Sequence, residues 1–151
     1  MKIALGSDHR GVETATMLAE QLERAGHETV VFGPPPGESC DYPEQAYKVA
    51  TQVADGQADR GVLICGTGIG MSLAANKVRG IRAAVVHDEL TAQLCRSHNN
   101  ANIICLSGDL LGQHLIEKVV EVFLVSKFEG GRHARRVDKI MAIERGEDPS
   151  A

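Results

Sequence analysis

Tryptophan is missing from the sequence, and three phenylalanines and two tyrosines are the only large aromatics among 151 residues. A surface that stacks unpaired bases needs several exposed rings, so that mode of nucleic-acid binding is not expected. A basic excess is missing too. Sixteen lysines and arginines face twenty acidic residues, a net charge of −4. No overall positive field can draw in nucleic acid or an anionic bilayer. The longest uncharged stretch, Gly61 to Asn76, holds four glycines and is too short to span a membrane. The cysteines Cys40, Cys65, Cys95 and Cys105 lie 25, 30 and 10 residues apart, which gives neither a CxxC pair nor a zinc-ribbon rhythm. No signal-peptide pattern precedes the first apolar run, KIALGS, so a reduced, cytoplasmic protein is expected.

What is present is alternation. Short apolar runs over 2–7, 27–33, 60–66, 81–87 and 102–107 read as strands. Between and after them, apolar spacing of three and four residues predicts helices over 11–25, 43–55, 72–78, 89–98, 110–125 and 132–145. Strand followed by helix, five times, argues for a five-stranded parallel sheet covered on both faces, with a last basic helix at the C-terminus. The length fits one domain, placed at 1–146, with 147–151 as a loose tail. We expect the strand order 2-1-3-4-5.

In such sheets ligands bind beyond the carboxyl ends of the strands, where the order reverses. Asp8 and His9 follow strand one, Asp41 and Tyr42 lie in the loop after strand two, and Cys65 followed by GTGIG closes strand three. With strands one and three adjacent, Asp8, His9 and Cys65 converge. Successive N–H groups in a glycine turn that opens a helix form an anion-binding nest, and such a setting favours a thiolate. Cys65 is therefore a candidate base or nucleophile; the plainer alternative is a buried structural cysteine.

The glycine run fits none of three other sites. A dinucleotide fingerprint needs GxGxxG after the first strand, whereas Gly66, Gly68 and Gly70 give GxGxG after the third. A thiol phosphatase loop needs arginine where Met71 stands, and a phosphorylated receiver domain needs aspartate where Cys65 stands. What remains is a nest for a developing oxyanion, or simply a tight turn. His98 ends a helix and could act as acid or base, or merely cap that helix. Arg132, Arg136 and Lys139 share a helical face that could hold a phosphate dianion or simply face solvent.

The segments GSDHRG (6–11), CDYP (40–43), LICGTGIGMSLAANKVRGIRA (63–83), HNNAN (98–102) and EGGRHARRVDKI (129–140), in this order, resemble the ribose-5-phosphate isomerase B family. That family includes the galactose-6-phosphate isomerase subunits. The resemblance implies a doubly wound, Rossmann-like fold and a homodimer or tetramer with active sites at the dimer interface. It implies a sugar-phosphate substrate and neither metal nor cofactor.

By the same resemblance, Cys65 is the base that moves a proton between C2 and C1. Gly66, Gly68, Ile69 and Gly70 belong to the anion hole, and Thr67 helps move a proton between O1 and O2. His98 opens the furanose ring. Asp8, Tyr42 and Asn99 contact sugar hydroxyls; His9, Arg132 and Arg136 hold the phosphate, some across the dimer. A glutamate-dependent subfamily does not fit, because its position is Met71 here and the cysteine is present. One departure stands out: the family often has an arginine after strand five, where this chain has Asp109. A carboxylate about 4 Å from a phosphate would cost roughly 1 kcal/mol per charge pair even in water. The reaction implied is ribose 5-phosphate to ribulose 5-phosphate. The alternatives are the same reaction on allose, galactose or erythrulose phosphates, or a non-catalytic sensor that has kept the pocket.

Overall fold

Apolar runs stopped by Gly-Ser, Gly-Pro or Gly-Thr cannot continue as helices, and they pair instead. The computed structural model describes every residue from Met1 to Ala151. Its strands are β1 (Lys2–Ser7), β2 (Glu28–Phe32), β3 (Arg60–Cys65), β4 (Ala83–Val85) and β5 (Ile103–Ser107). Its helices are α1 (Val12–Arg24), α2 (Tyr42–Ala54), α3 (Ile69–Ala75), α4 (Glu89–Ser97), α5 (Gln113–Val125) and α6 (Arg132–Glu144). All strand pairs are parallel. No helix is long and apolar enough to cross a membrane.

The sheet order is β2-β1-β3-β5-β4, so the expected 2-1-3-4-5 is corrected at its last two strands. The reason is burial. Every residue of β5 is buried, as a strand covered on both faces and paired on both edges requires, whereas β4 has three half-buried residues. An edge position suits the weaker strand. Asn76 closes that edge by strand-like pairing: its Nδ2 donates to Ala83 O at 2.8 Å and its Oδ1 accepts from Ala83 N at 2.8 Å.

Side chains of α1, α4 and α5 pack with Ile3, Leu5, Ile64, Ile104 and Leu106 on one face of the sheet. On the other face α2 and α3 cover Ala4, Leu63, Ile103 and Cys105. Each fully buried aliphatic or aromatic side chain contributes about 1.5–3 kcal/mol of hydrophobic driving force. α6 belongs to neither layer. It docks near the amino ends of β4 and β5, where Glu144 accepts from Gly80 N at 2.8 Å and Arg82 Nη1 approaches Met141 Sδ at 3.5 Å.

Two helix starts are corrected: α5 begins at Gln113, after its Gly112 N-cap, rather than at residue 110. α3 begins at Ile69 rather than at residue 72, because Gly68 takes the left-handed conformation (φ 80°) and completes the turn within the glycine run. Ile69 and Gly70 thus form the first turn of a helix.

Candidate active site

Register brings the ends of three strands together. Ser7 lies opposite Ile64, and Cys65 opposite Ser107. Asp8 N donates to Ile64 O at 3.3 Å. The Asp8 side chain is nearly buried and accepts from Arg10 N at 2.9 Å, which fixes the turn after β1. His9 is exposed and lines an open cleft with Ser39, Cys40, Asp41 and Glu44.

Cys65 is buried at the head of the glycine turn, and its Sγ accepts the Gly68 N–H at 3.2 Å. Thr67 Oγ1 accepts from Ile69 N at 3.3 Å. Tyr42, at the start of α2, lays its ring on Gly70: a methyl group there would come within 2.6 Å of Tyr42 Cε2 and Cζ. The other cysteines have different surroundings. Burial pushes the Cys95 thiol up to about 11 and drives Cys105 upward as well, so both stay neutral.

β5 builds the wall beyond Gly66. The Ser107 hydroxyl donates to Gly66 O at 2.6 Å and accepts from Leu110 N at 2.9 Å, while Gly108 N donates to Cys65 O at 2.8 Å. Asp109 is engaged by a cation rather than left facing the nest alone. Arg10 Nε donates to both of its carboxylate oxygens at 3.0 and 2.8 Å, and Arg10 Nη2 lies 2.7 Å from Oδ2. Arg10 lies within GSDHRG, and nothing in the sequence by itself assigns it a role. The missed signal was charge complementarity with Asp109, hidden by the assumed strand order. Neighbouring strands are spaced by about 4.8 Å, so the expected order would separate β1 from β5 by about 14 Å, against about 10 Å as observed.

The remaining predicted residues lie elsewhere. α4 descends from the carboxyl end of β4, so His98 at its C-cap and Asn99 sit at the amino end of the sheet. From Gly61 opposite Ile103 to Cys65 opposite Ser107 the sheet runs four residues, about 13 Å at 3.3 Å per residue. Arg132 and Arg136 are on α6 at that same amino end; Glu129 N donates to Ser97 O at 3.0 Å just before the helix. One chain thus gathers Asp8, His9, Tyr42, Cys65, Thr67 and Gly66 to Gly70 at one end. It keeps His98, Asn99, Arg132 and Arg136 at the other.

His98 stacks on His133, with ring centroids 4.1 Å apart and planes 6° from parallel. With Glu129 they form a cluster whose nitrogen and oxygen atoms lie within 4.8 Å of one another. Parallel stacked rings direct their in-plane lone pairs alongside each other, not toward a common point about 2 Å from each, so the donor set does not fit a zinc ion. Arg96, buried beneath, donates to Asn100 Oδ1 at 2.8 Å and Ala101 O at 2.6 Å, and Arg82 Nε donates to Asn100 O at 3.0 Å. These bonds hold Asn100 in the left-handed conformation (φ 49°) and fix the HNNAN loop.

Fold and site together define a class: a doubly wound α/β protein with a thiol held by backbone N–H in a glycine turn at the point where the strand order reverses. Residues 3–140 match the family model described as Ribose/Galactose Isomerase, and the chain belongs to that family. It is 43% identical to ribose-5-phosphate isomerase B of Escherichia coli K12 over 143 residues, covering 95% of this chain and 96% of that one. It superposes on the Clostridium thermocellum ribose-5-phosphate isomerase B with a TM-score of 0.95 at 47% identity, covering 97% and 99% of the two chains. A Mycoplasma genitalium ribose-5-phosphate isomerase B solved with bound ribulose-5-phosphate gives 0.91 at 43% identity, covering 95% and 96%.

Proposed function

We propose that this chain is an aldose–ketose isomerase that interconverts ribose 5-phosphate and ribulose 5-phosphate through a cis-enediolate. The observation that carries the reading is the Gly68 N–H donated to Cys65 Sγ at the switch point. The sulfur takes the proton from C2 of the opened aldose and returns it to C1. Charge on the enediolate oxygens develops against the Gly66–Gly70 nest, and each well-placed donor there contributes about 3–4 kcal/mol. The Thr67 hydroxyl passes a proton between O1 and O2. Asp8 and Tyr42 orient sugar hydroxyls, and His9 faces the phosphate.

The reading requires a homodimer. Ring opening and phosphate binding are assigned to His98, Asn99, Arg132 and Arg136, and one chain holds them at the far end of its own sheet. A partner subunit supplies them to Cys65, so each active site draws on both copies. The soluble, aqueous setting of such a reaction fits the cytoplasm.

The test is ketose formation from ribose 5-phosphate by the wild type and by Cys65→Ala, beside allose, galactose and erythrose phosphates. A wild type active on ribose 5-phosphate and a variant at least a hundredfold slower are expected. Full activity in Cys65→Ala removes the base, and binding without turnover in the wild type makes the chain a sensor.

A further inference from the structure

The sites assigned above give no role to Arg10. Arg10 follows Asp8 and His9 at the mouth of the nest, with its side chain 54% exposed, and Asp109 grips its Nε and Nη2 edge. An isolated surface ion pair is worth little. This one is a bidentate fork with a fixed position. A methyl group on Gly66 would lie 3.4 Å from Arg10 Cδ and 3.1 Å from Asp109 Oδ2, so the pair forms the rim of the nest itself. Asp109 is in turn anchored by backbone: its N–H donates to Gly66 O at 3.3 Å, and the Ser107 hydroxyl holds the same carbonyl.

A guanidinium has five N–H donors, and the Asp109 carboxylate takes those on one edge. The Nη1 edge is left for a ligand. A planar fork beside His9 suits a dianionic phosphate better than a lone hydroxyl. We infer that Arg10 is a phosphate-contacting residue of the site and that Asp109 is the residue that positions it. This rests on the sugar-phosphate reading and deepens it. The carboxylate lowers the net charge of the rim, and in exchange it holds the guanidinium in one orientation, so less side-chain freedom is lost when phosphate arrives.

The experiment measures steady-state isomerase kinetics and calorimetric binding of inorganic phosphate on the full-length assembled protein. The variants are Arg10→Gln, Arg10→Lys, Asp109→Asn and the double variant Arg10→Gln/Asp109→Asn. Both residues are partly exposed, and thermal melts confirm that each variant is folded. Arg10→Gln raises KM and weakens phosphate binding by about tenfold or more, with kcat within a few-fold, because the contact is the same in the ground and transition states. Arg10→Lys recovers part of the loss. Asp109→Asn raises KM several-fold, and the double variant is no worse than Arg10→Gln alone, as two members of one device behave.

Unchanged KM and phosphate affinity in Arg10→Gln overturn the contact. A lower KM in Asp109→Asn overturns the positioning role, since the carboxylate would then act only by repulsion. Loss of kcat alone makes the pair structural. If the wild type does not isomerise sugar phosphates, the functional reading fails, and phosphate binding by wild type against Arg10→Gln still decides the inference. Absence of phosphate binding to the wild type, together with no turnover, overturns both.

Discussion

His98 and His133 stack face to face, 4.1 Å between centroids, so the ring assigned to sugar opening rests on a second imidazole that is itself buried. Burial lowers the His133 pKa below its ordinary 6.5, and His98, Arg132 and Arg136 push it the same way against the opposing pull of Glu129 at 3.6 Å. A histidine whose folded pKa is depressed binds fewer protons in the folded state than in the unfolded one. Stability therefore holds above about pH 6.5 and falls as the pH drops from there through the folded value. Thermal melts between pH 7.5 and 5 are expected to show this fall, and His133→Asn to flatten it. An unchanged slope in the variant would remove His133 from the account.

The split site predicts complementation. Homodimers of Cys65→Ala and of His98→Asn are each inactive, because every site lacks one member. Unfolding and refolding them together in equal amounts forms mixed dimers, in which one of the two sites has both residues intact. Random pairing should restore about a quarter of wild-type activity, half the dimers being mixed and half their sites complete. No recovery, with mixed dimers verified by mass, would mean that Cys65 and His98 do not work across an interface.

Cys65 should stand apart from Cys95 and Cys105 in its reactivity. A backbone N–H faces its sulfur, whereas burial holds the other two neutral. Alkylation at pH 7.5 mapped by peptide mass is expected to modify Cys65 before either of them, and to slow in the presence of ribulose 5-phosphate. Cys95 or Cys105 reacting first would refute the assignment.

Gly70→Ala tests the seat of Tyr42. The added methyl would lie 2.6 Å from the ring, at a helical position with no positive φ, so the ring must move while the fold survives. We expect a rise in KM with a loss of stability of about 1–2 kcal/mol, in the range of overpacking. Gly68→Ala should cost more: it combines a left-handed φ of 80° with a contact at 3.1 Å to the Cys105 backbone, which cannot swing aside. Denaturation midpoints for both variants give the comparison.

Much of this arrangement was legible in the chain itself. Alternation of apolar runs with helical spacing required a covered parallel sheet, and GTGIG after Cys65 marked the turn, because local backbone preferences and burial pattern are written residue by residue. The five spaced segments from GSDHRG to EGGRHARRVDKI carried the family. Which of the last two strands lies inside the sheet was not decided locally: β4 and β5 are both short apolar runs, and only competition for full burial places Ile103–Ser107 in the middle. That choice brings Asp109 to Arg10, residues 99 positions apart. His98 lies at the end of the sheet away from Cys65 in either order, because a helix that follows a parallel strand must run back along it. Sequence thus determined the chemistry on offer and the fold that presents it. Tertiary structure decided which groups meet, because contact between distant segments is set by how layers pack and is not encoded at any single residue.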